Sequence, residues 1–291
     1  MPLPQTAKYR SRDEIEAIAM DMSNKTILIT GSTDGVGRRV AERLAVAGGE
    51  VLVHGRDRAR AESLLAGIDE AGGKAAFYPS DFSSLDEVRA LADAIERDYN
   101  RLDILINNAG IGTGDGGAGR QVSRDGHELR FAVNYLAGFL LTRRLLPLLK
   151  ASGPARIVNV SSVGQQPIDF SDVMLTRGYS GVRAYCQSKL AQIMFTFDLA
   201  EELAGSSVTA NCLHPATYMN TTMVRQAGVA PMSTVDQGAD AILNLAVGAD
   251  LEGSTGLYYN ARHPSRANAQ AYDATARQRL RLLSQDLTGL S

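Results

Sequence analysis

Tyr185 and Lys189 stand four residues apart in the segment Ala184-Tyr185-Cys186-Gln187-Ser188-Lys189. On a helix that spacing puts both side chains on one face, so a phenol and an ammonium can act on the same substrate atom. A free tyrosine titrates at about 10 and is a poor acid or base at neutral pH, but an adjacent ammonium favours the phenolate and lowers that value. Such a pair suits proton transfer to or from a substrate oxygen. With 10 tyrosines and 5 lysines in 291 residues, roughly 0.2 such pairs arise by chance, so the pair needs company before it means catalysis. Two candidates are Ser161-Ser162, which close an apolar run, and Asn134, inside a long helical stretch. A serine hydroxyl beside the phenol can hydrogen-bond a substrate oxygen and steady the charge that develops there. On their own the serines read equally well as strand-end hydrogen-bonding groups, and Asn134 as a helix residue satisfied by backbone.

A second chemistry lies near the N-terminus. The apolar run Thr26-Ile27-Leu28-Ile29 is followed by Thr30-Gly31-Ser32-Thr33-Asp34-Gly35-Val36-Gly37, which opens directly into a helical pattern. Glycines between strand and helix permit a tight turn and let a pyrophosphate approach backbone amides at the positive helix end. The elements that must hold these two centres alternate along the chain. Apolar runs at 26–29, 50–53, 74–78, 102–106, 156–160, 207–213 and 255–259 read as strands. Helical spacing occupies 36–47, 57–71, 84–98, 126–150 and 184–203, with a further short helix at 12–20. Continuous apolar strands alternating with helices imply a parallel sheet covered on both faces. Right-handed crossovers then make an α/β doubly wound Rossmann fold of about seven strands. With no internal linker, residues 24–291 read as a single domain behind an N-terminal extension, residues 1–23.

Bulk properties exclude other classes. A net charge of −2 argues against a nucleic-acid partner, which needs clustered Lys and Arg. The start of the chain lacks the apolar run of a signal peptide, and no stretch reaches the roughly 18 apolar residues of a membrane span, so the protein reads as cytoplasmic with no membrane partner. Cys186 and Cys212 are then expected as free thiols. The four histidines are far apart and no metal site is expected.

The loop Thr30-Gly31-x-x-x-Gly35-x-Gly37, the segment Asn107-Asn108-Ala109-Gly110, the Ser161-Ser162 pair and Tyr185-x-x-x-Lys189 together resemble the short-chain dehydrogenases/reductases, over about residues 24–290. The stretches Ala132-Val133-Asn134-Tyr135-Leu136 and Ala184-Tyr185 to Leu190-Ala191, with the tail from Ala271-Tyr272-Asp273 to Leu290, are most similar to the retinol-dehydrogenase-like, WW-domain-oxidoreductase-like branch. The resemblance implies an NAD(P)-dependent oxidoreductase moving hydride between nicotinamide and a small-molecule carbonyl or alcohol. In it Tyr185 is the acid/base, Ser162 rather than Ser161 binds the substrate oxygen, Lys189 also holds the nicotinamide ribose, and Asn134 holds a relay water. The cofactor set it implies is Gly31, Ser32, Thr33, Asp34, Gly35, Val36, Gly37, Asp81, Phe82, Asn108, Ala109, Gly110 and Pro215, with Tyr185 and Lys189. At the end of the second strand His54-Gly55-Arg56 lacks an acidic residue for a ribose 2′-hydroxyl and offers a guanidinium for a 2′-phosphate, so Arg56 favours NADP(H) over NAD(H). The bland readings are a solvated surface arginine for Arg56 and a turn or cap residue for Asp81.

Departures from the family pattern bear on the substrate. Ser162 and Tyr185 are 23 residues apart, a longer gap than usual, which implies an extra loop over 165–181 beside the site. Pro215-Ala216 replaces the family's Pro-Gly, and the threonine beyond it aligns with either Thr217 or Thr221. Residues 216–235, with Tyr218, Met219, Met223 and Met232, read as a mobile lid, and their apolar content points to a bulky, fairly apolar substrate. Competing readings are non-net-redox chemistry of the epimerase or dehalogenase type and a silent NADP-binding regulator. The complete set of Asn134, Ser162, Tyr185 and Lys189 speaks against both. The helix over 184–203 is apolar nearly all round, which suits burial in the core and leaves room for a homo-oligomer contact.

Overall fold

The uninterrupted apolar runs form a central sheet in the computed structural model, which describes residues 21–114 and 119–290. The helix expected over residues 12–20 lies outside the described residues. β1 (Thr26–Ile29) leads into α1 (Gly35–Val46), β2 (Glu50–Gly55) into α2 (Arg58–Glu70), and β3 (Lys74–Pro79) into α3 (Leu85–Asp98). β4 (Ile104–Asn107) precedes α4, a continuous rod made of Leu129–Phe131, a π-helical turn Ala132–Leu136 and Ala137–Ala151. Next come β5 (Ala155–Val160), α5 (Gly181–Glu202) and β6 (Val208–His214). The chain finishes with α6 (Thr222–Gln226), α7 (Val235–Val247), β7 (Tyr258–Asn260), β8 (His263–Ser265) and α8 (Ala274–Thr288). Polar caps set where helices begin: Asp57 accepts from Arg60 N, Ser84 from Glu87 N, and Thr234 with Gln237 forms a reciprocal capping box.

The strands lie in the order β3-β2-β1-β4-β5-β6-β7-β8. β1 to β7 pair in parallel, giving the doubly wound Rossmann fold, and β8 adds an antiparallel edge. The order reverses between β1 and β4, which opens a crevice at their C-terminal ends, where ligands bind in sheets of this kind. β8 is an eighth strand that hydrophobic patterning does not reveal. His263-Pro264-Ser265 is short, exposed and contains a proline, which the edge of a sheet tolerates and its interior does not.

Side-chain alternation along the strands sorts the core into two layers. Leu28, Leu52, Leu105 and Ile157 face α3, α4, α5 and α8, while Ile27, Ile29, Val51, Val53, Ile104, Ile106 and Val158 face α1, α2 and α7. α7 and α8 go beyond the elements read from strand–helix alternation. α8 resolves the all-round apolarity of α5. Ala276 and Leu280 join the core layer that includes Phe195, Phe197 and Leu199 of α5. Arg277 pairs with Glu201, Arg281 with Asp198 at 3.0 Å, and Ser284 Oγ meets the Tyr135 hydroxyl at 2.7 Å. The outward face of α5, left open to a partner subunit by the sequence, is thus covered by the chain's own last helix.

Among the described residues no helix is long and apolar enough to cross a membrane, and no cluster of His, Cys, Asp or Glu could hold a metal ion. Cys186 and Cys212 are free and buried.

Candidate active site

The loop after β1 is held by its neighbours at nearly every polar atom. Thr30 Oγ1 accepts hydrogen bonds from Asn108 N and Ala109 N, both at 3.0 Å, and Asn108 Nδ2 donates to Thr30 O at 2.9 Å and Gly31 O at 3.1 Å. Ser32 Oγ donates to Ile29 O at 2.8 Å and accepts from His54 N at 3.0 Å. Gly31 has φ +65, and a Cβ there would lie 2.8 Å from Ala109 Cα; a Cβ on Gly37 would lie 2.5 Å from Gly31 O. Both positions therefore need glycine, because the backbones of β1 and β4 close on each other here. The loop delivers the chain to the N-terminus of α1, with Gly35, Val36 and Gly37 in its first turn, where free amides and the helix dipole attract an anion.

Asp34 is the N-cap of α1, accepting from Gly35 N at 2.8 Å. Partial burial works against its charge, but hydrogen bonds from Thr222 and Gly35 N, with Arg60 and Arg225 nearby, hold its carboxyl below the usual range. Arg60 pairs with it at 2.9 Å. Thr33 lies buried against Gly55 at the end of β2.

At the adenine end of the crevice Arg56 is 68 % exposed, with its guanidinium 3.8 Å from the Asp81 carboxylate. Asp81 also caps its own turn, accepting from Ser83 N at 3.0 Å, so the bland reading of this residue is met alongside the functional one. Phe82 follows Asp81. Its ring is buried against His54, with centroids 4.3 Å apart, and is not free to stack on a base.

The second centre forms where β5, α4 and α5 converge. Ser161 Oγ donates to Lys189 O at 2.8 Å and is buried in that structural bond. Ser162 points the other way, accepts from Gly164 N at 3.0 Å and hydrogen-bonds Tyr185. Alternation along the strand end thus separates the two serines and gives the site Ser162. The Lys189 ammonium sits 5.8 Å from the Tyr185 ring centroid and donates to Val160 O and Gln192 Oε1, each at 2.9 Å. Asn134 lies in the π-helical turn of α4; its Oδ1 accepts from Ile111 N at 2.7 Å and its Nδ2 donates to Ile111 O at 3.1 Å and Ser188 Oγ at 3.0 Å. Both ends of the Asn134 amide thus hold Ile111, just after Gly110, and its Nδ2 also ties α4 to α5 at Ser188. The π turn shifts the main-chain hydrogen-bond register beside it, a feature common at functional sites.

Electrostatics here run against one expectation. Burial pushes the Tyr185 phenol above its ordinary value, only partly offset by the Ser162 hydrogen bond. Burial also pushes Lys189 down to about 7. Burial thus disfavours the charged form of each group, the phenolate of Tyr185 and the ammonium of Lys189. His214, on β6, is held at about 4 by burial and by the Lys189 charge.

The substrate side is built from loops. The extra loop over 165–181 lies beside the site and is tied to α5 by Gln187, which accepts from Asp169 N at 3.2 Å and donates to Val173 O at 2.9 Å. Buried Arg130 joins this loop to the one after β4, donating to Tyr179 OH at 2.6 Å, Gly112 O at 2.8 Å and Thr113 O at 2.9 Å. Pro215 is buried and Ala216 follows without a positive φ; the left-handed residue is Tyr218, with φ 44. Residues 217–220 are strapped to residues 232–233 by Met232 N donating to Tyr218 O at 2.9 Å and Ser233 Oγ to Thr217 O at 2.5 Å. Of the two candidate threonines, Thr217 Oγ1 contacts His214 Nε2 at 3.1 Å, while Thr221 packs towards Gly35 of the phosphate loop.

Sequence reasoning passed over four residues here. Arg130 and Gln192 carry no signal beyond their types, and Thr30, though it opens the glycine motif, was given no role. His54 does carry one: a histidine closing an apolar strand beside a glycine loop. Its Nδ1 accepts from Gly31 N at 3.0 Å and its Nε2 donates to Ser80 O at 3.1 Å, pinning the phosphate loop to the end of β3. Burial holds the ring at about 4, which keeps it neutral and able to accept that bond.

The glycine cradle, open amides at α1 and adjoining Ser162–Tyr185–Lys189 cluster fit a dinucleotide with its nicotinamide beside the tyrosine. Comparison with known proteins agrees. Retinol dehydrogenase 14 from Mus musculus is 35% identical, the match covering 92% of this chain and 87% of that one. A crystal structure from Mycobacterium paratuberculosis superposes with a TM-score of 0.78 at 29% identity, covering 94% of this chain and 97% of that one. A short chain dehydrogenase from Escherichia coli complexed with NADPH superposes with a TM-score of 0.69 at 28% identity, covering 83% and 98%. The family model for short chain dehydrogenases matches residues 25–230, a span that takes in the phosphate loop, Asn134, Ser162, Tyr185 and Lys189, and the chain belongs to that family of NAD(P)-dependent oxidoreductases.

Proposed function

We propose that the protein is an NADP-dependent carbonyl reductase or alcohol dehydrogenase for a fairly apolar substrate, with Tyr185 as its acid/base. The observation that carries this reading is the buried Tyr185 phenol, hydrogen-bonded to Ser162 with the Lys189 ammonium over its ring, at the end of a sheet whose first loop is a glycine cradle. Bound NADPH supplies the hydride. The amides of residues 31–37 take the pyrophosphate, and Arg56 takes the 2′-phosphate. Arg56 is free to do so because its contact with Asp81 is long and exposed, worth little in water. Lys189 holds the ribose next to the reacting carbon.

During reduction Ser162 donates a hydrogen bond to the carbonyl oxygen, and Tyr185 gives it a proton as charge builds there. The raised Tyr185 value suits this direction, since the phenol holds its proton until the oxygen demands it. Lys189, charged below about 7, then steadies the phenolate left behind. The substrate class rests on exposed apolar side chains around the mouth: Val163, Val182, Tyr218, Met223 and Met232. Retinol dehydrogenases among the relatives support an apolar aldehyde or alcohol.

The test is a titration of the purified protein with NADPH and NADH, read by reduced-nicotinamide fluorescence and repeated with Arg56→Ala. Preference for NADPH that collapses by about tenfold in the variant supports the reading. Failure to bind either nucleotide overturns it.

A further inference from the structure

Lys189 is buried, and its ammonium meets no counter-charge among the described residues. Its ammonium donates to two neutral oxygens, Val160 O of β5 and Gln192 Oε1 one turn further along α5, both at 2.9 Å. Among the described residues no carboxylate pairs with it. β5 otherwise presents Ser161 and Ser162, α4 presents Asn134, and the loop after β4 presents Gly110, all uncharged. The titratable groups facing it are Tyr185 on its own helix, with Cys186 and Tyr218 beyond, and His214 on β6. Val160 O is main chain and belongs to any residue at that position. Gln192 is the one side chain shown accepting from the ammonium, and it is itself 5 % exposed.

The choice of an amide matters. A buried ammonium with too few acceptors sheds its proton, whereas a carboxylate would keep the proton but cancel the positive field at Tyr185. A glutamine oxygen accepts the hydrogen bond and leaves the field intact.

We infer that Gln192 is a positioning residue for the proton-transfer pair: its side-chain oxygen holds the Lys189 ammonium protonated and in place beside Tyr185 without neutralising it. This rests on the proposed role of Tyr185 as acid/base but concerns a residue outside that set.

The experiment follows two readouts in the full chain. Lysine labelled at the ε carbon is titrated by NMR, with Lys189 assigned through Lys189→Met. Reduction of an apolar aldehyde by NADPH is followed in parallel across pH. In Gln192→Leu, Lys189 should release its proton about one pH unit lower. At neutral pH kcat should fall about tenfold and recover on acidification, while the aldehyde KM stays within about twofold. In Gln192→Glu, Lys189 should titrate higher than in the wild type, yet kcat should still fall, because the charge at Tyr185 is cancelled. An unchanged Lys189 titration in Gln192→Leu overturns the inference, as does a loss of kcat and KM together with an unshifted pH profile. If Gln192→Leu fails to fold, Gln192→Glu decides alone, since it keeps the length and the oxygen, and an unmoved Lys189 titration there refutes the contact. The titration needs no turnover. A wild-type protein that reduced no aldehyde would therefore overturn the proposed function and leave the Gln192–Lys189 assignment to the NMR result.

Discussion

The nucleotide end of the crevice and its substrate end are built on different principles. Around Gly31 and Asn108 the backbones of β1, β2 and β4 converge, and Thr30, Ser32, His54 and Asn108 leave few polar atoms unpaired. One added carbon has no space there. Around Tyr218 and Met232 the surface is loop, strapped at a few points, with large apolar side chains standing in solvent. In the proposed function the first region holds the cofactor, a ligand part that does not vary. The second offers area and adaptability, which is what the proposed bulky apolar substrate requires.

The largest expected effect divides the two ends within one variant. Tyr185→Phe should lower aldehyde reduction by about a thousandfold, while NADPH affinity, measured by fluorescence, stays within about threefold. Loss of binding in parallel would mean that the phenol belongs to the nucleotide end and that the two regions are one.

The next effect is on stability and comes from His54. Its folded value of about 4 lies below the ordinary 6.5, because burial disfavours the imidazolium. Between those values the unfolded chain binds a proton that the folded chain refuses. Stability is therefore full above pH 6.5 and falls as pH drops towards 4, by as much as about 3 kcal/mol. Thermal melts across this window should show the fall, and His54→Gln should flatten part of it, His214 supplying the remainder through its own depressed value. A melt insensitive to pH in this range would show that the loop does not depend on a neutral ring.

Gly37→Ala should weaken NADPH binding by about a hundredfold, since its Cβ would press on Gly31 O. Met232→Ser is the counterpart at the other end and the smallest effect. Met232 is 71 % exposed, so trimming it should raise the aldehyde KM by only about twofold to threefold and leave NADPH untouched. If the methionine variant cost as much as the glycine one, the contrast between a tight and an adaptable end would fail.

How much of this was legible in the sequence follows the same divide. Strands β1 to β7 announced themselves because a sheet buried on both faces demands unbroken apolar runs. The glycine loop and Tyr185–Lys189 were legible because turn geometry and helix spacing restrict which residues work there. Ser162 was chosen over Ser161 on the family resemblance alone; the residues gave no physical ground, since both are buried hydroxyls and only direction separates them. The packing of Phe82 on His54 was not readable, because an aromatic after a strand gives no sign of what its ring will meet. The raised Tyr185 value was not readable at all: it is a sum of desolvation over neighbours distant in sequence. β8 and α8 escaped because one is a polar edge and the other has a thin apolar stripe among arginines.

α8 also sets the order of events while the chain is made. The apolar surface of α5 around Phe197 is met by Tyr272, just ahead of α8, and Asp198 and Glu201 beside it pair with Arg281 and Arg277 of α8, and roughly seventy residues must be synthesised between the two. At about 5–20 residues per second, the ribosome leaves that apolar surface uncovered for several seconds after α5 has emerged. The nascent protein is most exposed to chaperones, and to premature association with other chains, in that interval. A translational stall after β6 would prolong it.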